Sequence, residues 1–320
     1  MAFGGAAFAA SRALIAQTAA RVYRIAILDD ASEGSRNETW PGIRKRLGEL
    51  GLVEGKNLVI EVRYARGMSE GLNALAAETV AAKPDLILTP GTPTTRAVLR
   101  ATSTIPVVFA GSADPAGTGL VVSLARPGGN ATGISITATE TSQKTLELLR
   151  ELSPGVQRIG FLTDTANQAA AAAYSRLEEK ARSLKVSIQL LDGIGRTALD
   201  RAFATIKRER IQGVLVAFPG TLLNHRDEII KLAAAEKLPV VYGRHEYVFA
   251  GGLMSYDVDR GYGLVRAAEL AHRILRGAKP ADLPVEQIRK TRLDVNMKTA
   301  KALGIKVPLS ILLRADEVIE

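Results

Sequence analysis

The sequence predicts an α/β protein built from two doubly wound parallel-sheet lobes. Three observations predict it. The chain has 320 residues and is 47% hydrophobic; that is too long for one typical domain and fits two of about 100 to 150 residues, each able to fill a core. Short apolar runs alternate with amphipathic helical stretches, which is the pattern of parallel sheets with right-handed crossovers. The rhythm runs to about residue 136 and then starts again, giving two series.

Taken in order, 22–28 is a first buried strand and 29–35 a polar loop. A helix follows from about 41, with Ile43, Leu47 and Leu50 at helical spacing and Gly51 as its stop. In 57–64 the residues Leu58, Ile60, Val62 and Tyr64 alternate, which is a strand. Leu72, Leu75, Ala76, Thr79 and Val80 form an amphipathic helix that stops before Pro84. Leu86 to Leu88 form a buried strand, ended by Pro90 and Gly91, and a helix starts at Thr92-Pro93. A strand spans 107–110, Asp114-Pro115 starts a helix through Leu124, and 131–136 is the fifth strand. The second series has helix 142–152, strand 158–162, a helix carrying Tyr174, Leu177, Ala181 and Leu184, and strand 186–190. It continues with a helix around Leu199, Phe203 and Ile206, strand 213–218, a helix through Ala235, and strands 239–242 and 252–256. A long helix at 261–276, short strands at 285–288 and 293–296, and a helical piece closing at Gly304 complete the chain.

In open parallel sheets the loops after the strand ends form the ligand crevice. The loops at Ser32, Thr92, Ser112, Asp164, Gly220 and Arg244 therefore point at one place if the two lobes face each other. The turn at Gly91-Thr92-Pro93-Thr94-Thr95 is the most informative of them. It places a hydroxyl N-cap at Thr92 and proline at the first helical position, where its missing N–H costs nothing. The N–H groups of Thr94 and Thr95 then point out of the sheet among three hydroxyls, a site suited to an anion such as a carboxylate. The alternative is that these threonines only cap the helix.

Other candidates carry alternatives of their own. Arg244 holds a ligand carboxylate as a bidentate partner, or pairs with Glu33 or Asp164. Asp114 contacts ligand or caps a helix. Asp164 and Asn167 accept from a ligand ammonium or cap the following helix. Trp40, the only tryptophan, stacks on a ligand or staples its helix to the core. Tyr256 is a stacking or hinge residue, or plain core. Gly111 and Ser112, beside Asp114, complete the candidate set.

Composition excludes several chemistries. There are no cysteines, hence no disulfides, thiol nucleophiles or thiolate metal sites. The three histidines, His225, His245 and His272, have no metal-ligand spacing, and no metal is expected. The net charge of +9 is spread along the chain, densest at Arg44-Lys45-Arg46, without the basic stripe and interleaved aromatics of a nucleic-acid binder. No run of about 20 apolar residues crosses a membrane. Residues 1–20 are Ala-rich and resemble the tail of a secretory signal, with Thr18-Ala19-Ala20 as a small-residue cleavage site; a plain leader or a misplaced start is the alternative.

Asp29-Asp30 invites comparison with a phosphoacceptor site, but the third strand ends in Thr89-Pro90 instead of aspartate. No Gly-x-Gly-x-x-Gly follows the first strand, and no Gly-Lys-Ser/Thr loop or nucleophile elbow is present. No catalytic constellation stands out, and no cofactor is expected. Magnitudes then restrict a binding mechanism. Micromolar affinity needs about 8 kcal/mol, a helix terminus offers up to about 2 kcal/mol, and charge-assisted hydrogen bonds offer roughly 1.5 to 3 kcal/mol each. One lobe does not suffice, so the second must close over the ligand.

Four stretches carry a family resemblance: Gly111-Ser112-Ala113-Asp114-Pro115 at the end of 107–115, Arg126-Pro127-Gly128-Gly129-Asn130 within 123–133, Gly251-Gly252-Leu253-Met254-Ser255-Tyr256, and Lys298-Thr299-Ala300-Lys301-Ala302-Leu303-Gly304. Together they resemble the ABC-transporter substrate-binding family that includes tryptophan-binding proteins. The resemblance runs from about residue 22 to 320. It implies a type I periplasmic-binding fold, two lobes joined by a hinge, no catalysis, and delivery of ligand to an ABC permease. It also implies three crossings between lobes, with 22–136 plus 257–288 in lobe one and 137–256 plus 289–320 in lobe two.

The expected protein is thus an exported, monomeric solute receptor of an ABC importer, periplasmic or extracellular, that is not inserted in the membrane. Its ligand is a small carboxylate, an amino acid or aromatic acid. The rivals are a ligand-sensing domain of repressor type, which needs an attached DNA-binding module, and an enzyme on the same scaffold, which needs a clustered acid, base or nucleophile.

Overall fold

In the computed structural model the described residues are 21–34, 39–66, 71–136 and 138–320; the signal-like segment lies outside them. The first series comprises β1 (Tyr23–Asp29), α1 (Thr39–Glu49), β2 (Leu58–Tyr64), α2 (Leu72–Ala81), β3 (Leu86–Thr89), α3 (Thr92–Ala101), β4 (Val107–Ala113) and β5 (Ala131–Ile136). The second comprises α4 (Ala138–Leu152), β6 (Arg158–Thr163), α5 (Gln168–Ser183), β7 (Ser187–Asp192), α6 (Arg196–Arg208), β8 (Gly213–Val216), α7 (Arg226–Ala235), β9 (Val240–Tyr242), α8 (Glu246–Phe249) and β10 (Met254–Val258). Then follow α9 (Arg260–Leu275), β11 (Glu286–Ile288), β12 (Thr291–Asn296), α10 (Met297–Leu303), α11 (Leu309–Leu312) and β13 (Glu317–Ile319).

The strands form two sheets, ordered β11-β5-β4-β3-β1-β2 and β13-β12-β10-β9-β8-β6-β7. The first is parallel throughout. In the second, β12 runs antiparallel to β10. That departs from the all-parallel expectation, because β12 enters by a short link from the first sheet instead of a helical crossover. The chain passes between the sheets at β5–α4, at β10–α9 and at β11–β12. After β10, α9 buries Leu264, Ala267, Ala268 and Ala271 with Ile43 and Leu47 of α1 on the first sheet.

Local differences have local causes. No helix follows Asp114-Pro115. Asp114 adopts φ +42°, its carboxylate accepts from Gly117 N–H at 3.0 Å, and Thr118 N–H returns to the Asp114 carbonyl at 2.9 Å. These bonds close a turn, and Gly119 at φ +71° breaks any helical continuation. β4 runs on through Ala113 by means of a bulge between Phe109 and Ser112. α3 begins one residue early: Thr92 is its first residue and extended Gly91 the cap. β8 stops at Val216, leaving Phe218 outside it. The short elements α8, α11 and β13 were not expected from the sequence, being too short to show a period.

Gly133 is where backbone freedom decides. Its φ is +155°, and a Cβ there would stand 2.1 Å from the Phe109 carbonyl oxygen in the neighbouring strand. G133A should therefore lose about 3 kcal/mol of unfolding free energy in denaturant titration; unchanged stability contradicts this packing.

Candidate functional site

The carboxyl ends of both sheets meet at one seam. From the first sheet come Asp30 to Ser32 after β1, Gly91 and Thr92 after β3, and the Gly111–Ser112 end of β4. From the second come Asp164 after β6, Gly220 and Thr221 after β8, and Arg244 after β9. The seam is closed. Ser32 N–H donates to Asn224 Oδ1 at 2.8 Å, and Phe218 packs against the apolar cluster of the first sheet. Ala166 and Asn167 line the same groove, of about 260 Å³, as Thr92, Arg96 and Arg100.

One side of the seam favours an anion. Thr92 is 5% exposed, and Thr94, Thr95 and Ser112 are fully buried. Thr92 and Ser112 share a hydrogen bond at 2.7 Å that either can donate. That pair joins the start of α3 to the end of β4. Thr94 and Thr95 hydroxyls both donate to the Gly91 carbonyl, at 3.0 and 2.7 Å, and Thr95 N–H donates to it as well, at 3.1 Å. The expectation that the Thr95 amide is open to a ligand is therefore corrected: it closes the first helical turn. Thr94 braces the turn, while the Thr92–Ser112 pair stands at its rim.

The other side favours a cation. Asp164 accepts from Thr221 Oγ1 at 2.9 Å and from Ala166 N–H at 3.1 Å. Burial pushes its carboxyl above the ordinary range against those two bonds, and the charges of Asp192 and of Asp30, from the opposite sheet, push the same way. A cation beside a carboxylate desolvated in this way favours its charged form. Asn167 donates its N–H to the Asp164 carbonyl at 3.1 Å.

Several predicted site residues are placed differently. Trp40 is 2% exposed among Ile43 and Leu47, and its indole N–H donates to Asp29 Oδ2 at 2.7 Å, so it staples α1 to β1. Asp114 holds its own turn. Arg244 pairs with neither Glu33 nor Asp164. It binds Glu246 two residues on, with Nε to Oε2 at 3.3 Å and a second, shorter bond to Oε1. Burial works against the Arg244 charge, but Glu246 keeps the guanidinium raised; burial likewise opposes the Glu246 charge, and Arg244 holds that carboxyl low. Tyr256 donates its hydroxyl to Thr291 at 3.0 Å and lines a cavity of about 370 Å³ with Glu140, Thr141, Gln287, Arg289 and Thr291, at the crossings. Gly220 begins a short 3-10 turn, 220–225, and that turn carries Thr221 and Asn224 to the seam.

His245, Glu246 and Asp257 lie close enough to share an ion. Their carboxylates are instead taken by Arg244 and Arg260. His225 accepts from Gly195 N–H at 3.1 Å and belongs to no nucleophilic triad. Thr221, Asn224 and Arg260 carry no signal in the sequence, and Asp30 enters there only through the Asp29-Asp30 pair compared with a phosphoacceptor site.

Two facing α/β sheets with polar strand ends at a closed seam define the bilobal type I periplasmic-binding fold. The family model described as ABC transporter substrate binding protein matches residues 24–319, and the chain belongs to that family. It is 28% identical over 266 residues to a tyrosine-binding protein of Clostridioides difficile, covering 83% of this chain and 76% of that one. A solved ABC domain in complex with L-Trp from Streptococcus pneumoniae is 26% identical, with a TM-score of 0.85 over 93% of this chain and all of that one. A ligand-free, open substrate binding protein with adhesive properties from Clostridium difficile is 25% identical over 93% of this chain and 99% of that one, with a TM-score of 0.65. The family consists of binding proteins and not enzymes. No helix among the described residues is long and apolar enough to cross a membrane.

The raised Asp164 pKa has a stability consequence. The folded protein keeps this proton to higher pH than the unfolded chain, so stability falls as pH rises from the ordinary aspartate value, about 4, through the raised one. D164N removes that dependence. The melting temperature of D164N minus that of the wild type, without ligand, should grow between about pH 4 and pH 7; an equal difference at both contradicts the assignment.

Proposed function

We propose that the chain is the extracytoplasmic receptor of an ABC importer for an amino acid, with an aromatic one preferred. The observation that carries this is the division of the closed seam. Hydroxyls and a helix N-terminus, at Thr92, Ser112 and α3, stand on one lobe. On the other stands Asp164, held by the Thr221 hydroxyl and the Ala166 N–H. An α-amino acid carries a carboxylate and an ammonium at that separation of roles. The relatives' names, tyrosine-binding and in complex with L-Trp, support the class.

The lobes of this reading are 22–136 plus 257–288 and 137–256 plus 289–320, hinged at the three crossings. The arrangement is nearer to the L-Trp complex than to the ligand-free, open relative, which supports a closed, ligand-ready form. Export through residues 1–21, a monomeric state and delivery to a permease belong to the same proposal. The carboxylate is held at Thr92 and Ser112, with Thr94 bracing the turn behind them.

L-tryptophan or L-tyrosine should raise the melting temperature of the full chain in a saturable way. T92V should weaken that ligand at least tenfold in calorimetry, the loss of one charge-assisted bond. No stabilisation by any α-amino acid overturns the class, and unchanged affinity in T92V overturns the anchor.

A further inference from the structure

Arg260 opens α9 at the crossing that returns the chain to the first sheet. Its side chain is only 14% exposed. Two of its nitrogens are committed: Nε donates to Asp257 Oδ2 at 2.7 Å and Nη2 to Asp257 Oδ1 at 3.3 Å. Among the described residues no other side chain or carbonyl accepts from it. The remaining nitrogen, Nη1, lies 3.3 Å from where a Cβ on Gly111 would stand, at the end of β4. Gly111 adjoins Ser112, which bonds Thr92. The Gly111 carbonyl is in turn 3.7 Å from where a Cβ on Gly91 would stand. Two glycines thus keep the sheet edge bare beside the anion-favouring corner, and one edge of a guanidinium faces that bare strip.

The surroundings are arranged around this group. Asp257 is the penultimate residue of β10 on the second sheet while Arg260 begins a helix on the first, so the pair stands where the chain crosses the seam. Arg244 and Glu246, from the second lobe, act on Arg260 electrostatically. The pairs Arg244–Glu246 and Asp257–Arg260 cancel, so no surplus of negative charge repels an entering anion. Burial pulls the Arg260 guanidinium below its ordinary value; Asp257 opposes this and Arg244 adds to it. A guanidinium with one nitrogen uncommitted is completed by a carboxylate, whose planar oxygens suit its fork.

We propose that Arg260 is the cationic contact of the ligand carboxylate, reaching it through Nη1, and that Asp257 is the positioning residue that presents that edge. This rests on the amino-acid reading above and adds a selectivity: a free carboxylate is required, and a neutral group in its place is rejected.

The test compares L-tryptophan and L-tyrosine with their primary amides by calorimetry on the full chain, in wild type and in Arg260→Gln. The wild type should bind the acids roughly 10- to 100-fold more tightly than the amides. Arg260→Gln should weaken the acids by a similar factor and leave the amides nearly unchanged, so that the preference disappears. Equal loss for acid and amide makes Arg260 merely structural and overturns the proposal, as does unchanged acid binding. If Arg260→Gln does not fold, Arg260→Lys decides: weaker acid binding with amide binding retained supports the contact, and equal loss overturns it. Failure of the wild type to bind any of the four probes overturns the amino-acid reading itself, and this contact with it.

Discussion

Parallel strands deliver all their carboxyl ends to one edge, and in this chain two such edges are held against each other by three crossings. Everything else at the seam follows from that constraint. A loop after a parallel strand has nowhere to go but the seam, so the strand-end segments at Ser32, Thr92, Ser112, Asp164 and Thr221 become neighbours although up to 189 positions separate them in the sequence. The antiparallel insertion of β12 does not disturb this, because β12 lies beyond β10, away from the strand ends of β6 and β8.

Closing the seam is costly where charges lose water. Asp164 is pushed up and Arg260 pulled down, both by burial first, so burial in the closed form disfavours the charge on each. A zwitterionic guest carries the two charges that offset both shifts. Among the described residues, the hydrogen bond from Ser32 to Asn224 is a neutral lobe-to-lobe contact of about 1 kcal/mol. In the proposed function, the guest supplies the difference in free energy that makes the closed form dominant.

The fold was largely legible because its signals are local. Buried strands such as Leu86 to Leu88 and amphipathic helices such as the one carrying Leu199, Phe203 and Ile206 announce themselves by period, and the strand-end rule then named Thr92, Ser112, Asp164 and Gly220. What was not legible depended on partners far along the chain. Trp40 reads as a free aromatic until β1 supplies Asp29. Arg244 reads as a ligand fork until α8, only four residues long, folds Glu246 back on it. Asp114-Pro115 carries a helix-start signal that Gly117 and Gly119 override. Arg260 was hidden because its meaning lies in two glycines far along the chain, Gly91 at the cap of α3 and Gly111 in β4, and a missing side chain leaves no mark in a pattern of apolar residues.

The central claim is that an amino acid draws two hinged lobes together around itself. The chain has no native cysteine, so a pair of spin labels can be placed at Asn73 and Thr165, both exposed, on the two lips of the cleft. Their separation, measured by pulsed electron resonance with and without saturating L-tryptophan, should be longer and broader in the free protein and collapse to one short distance when ligand is added. A distribution that is the same in both conditions contradicts the account.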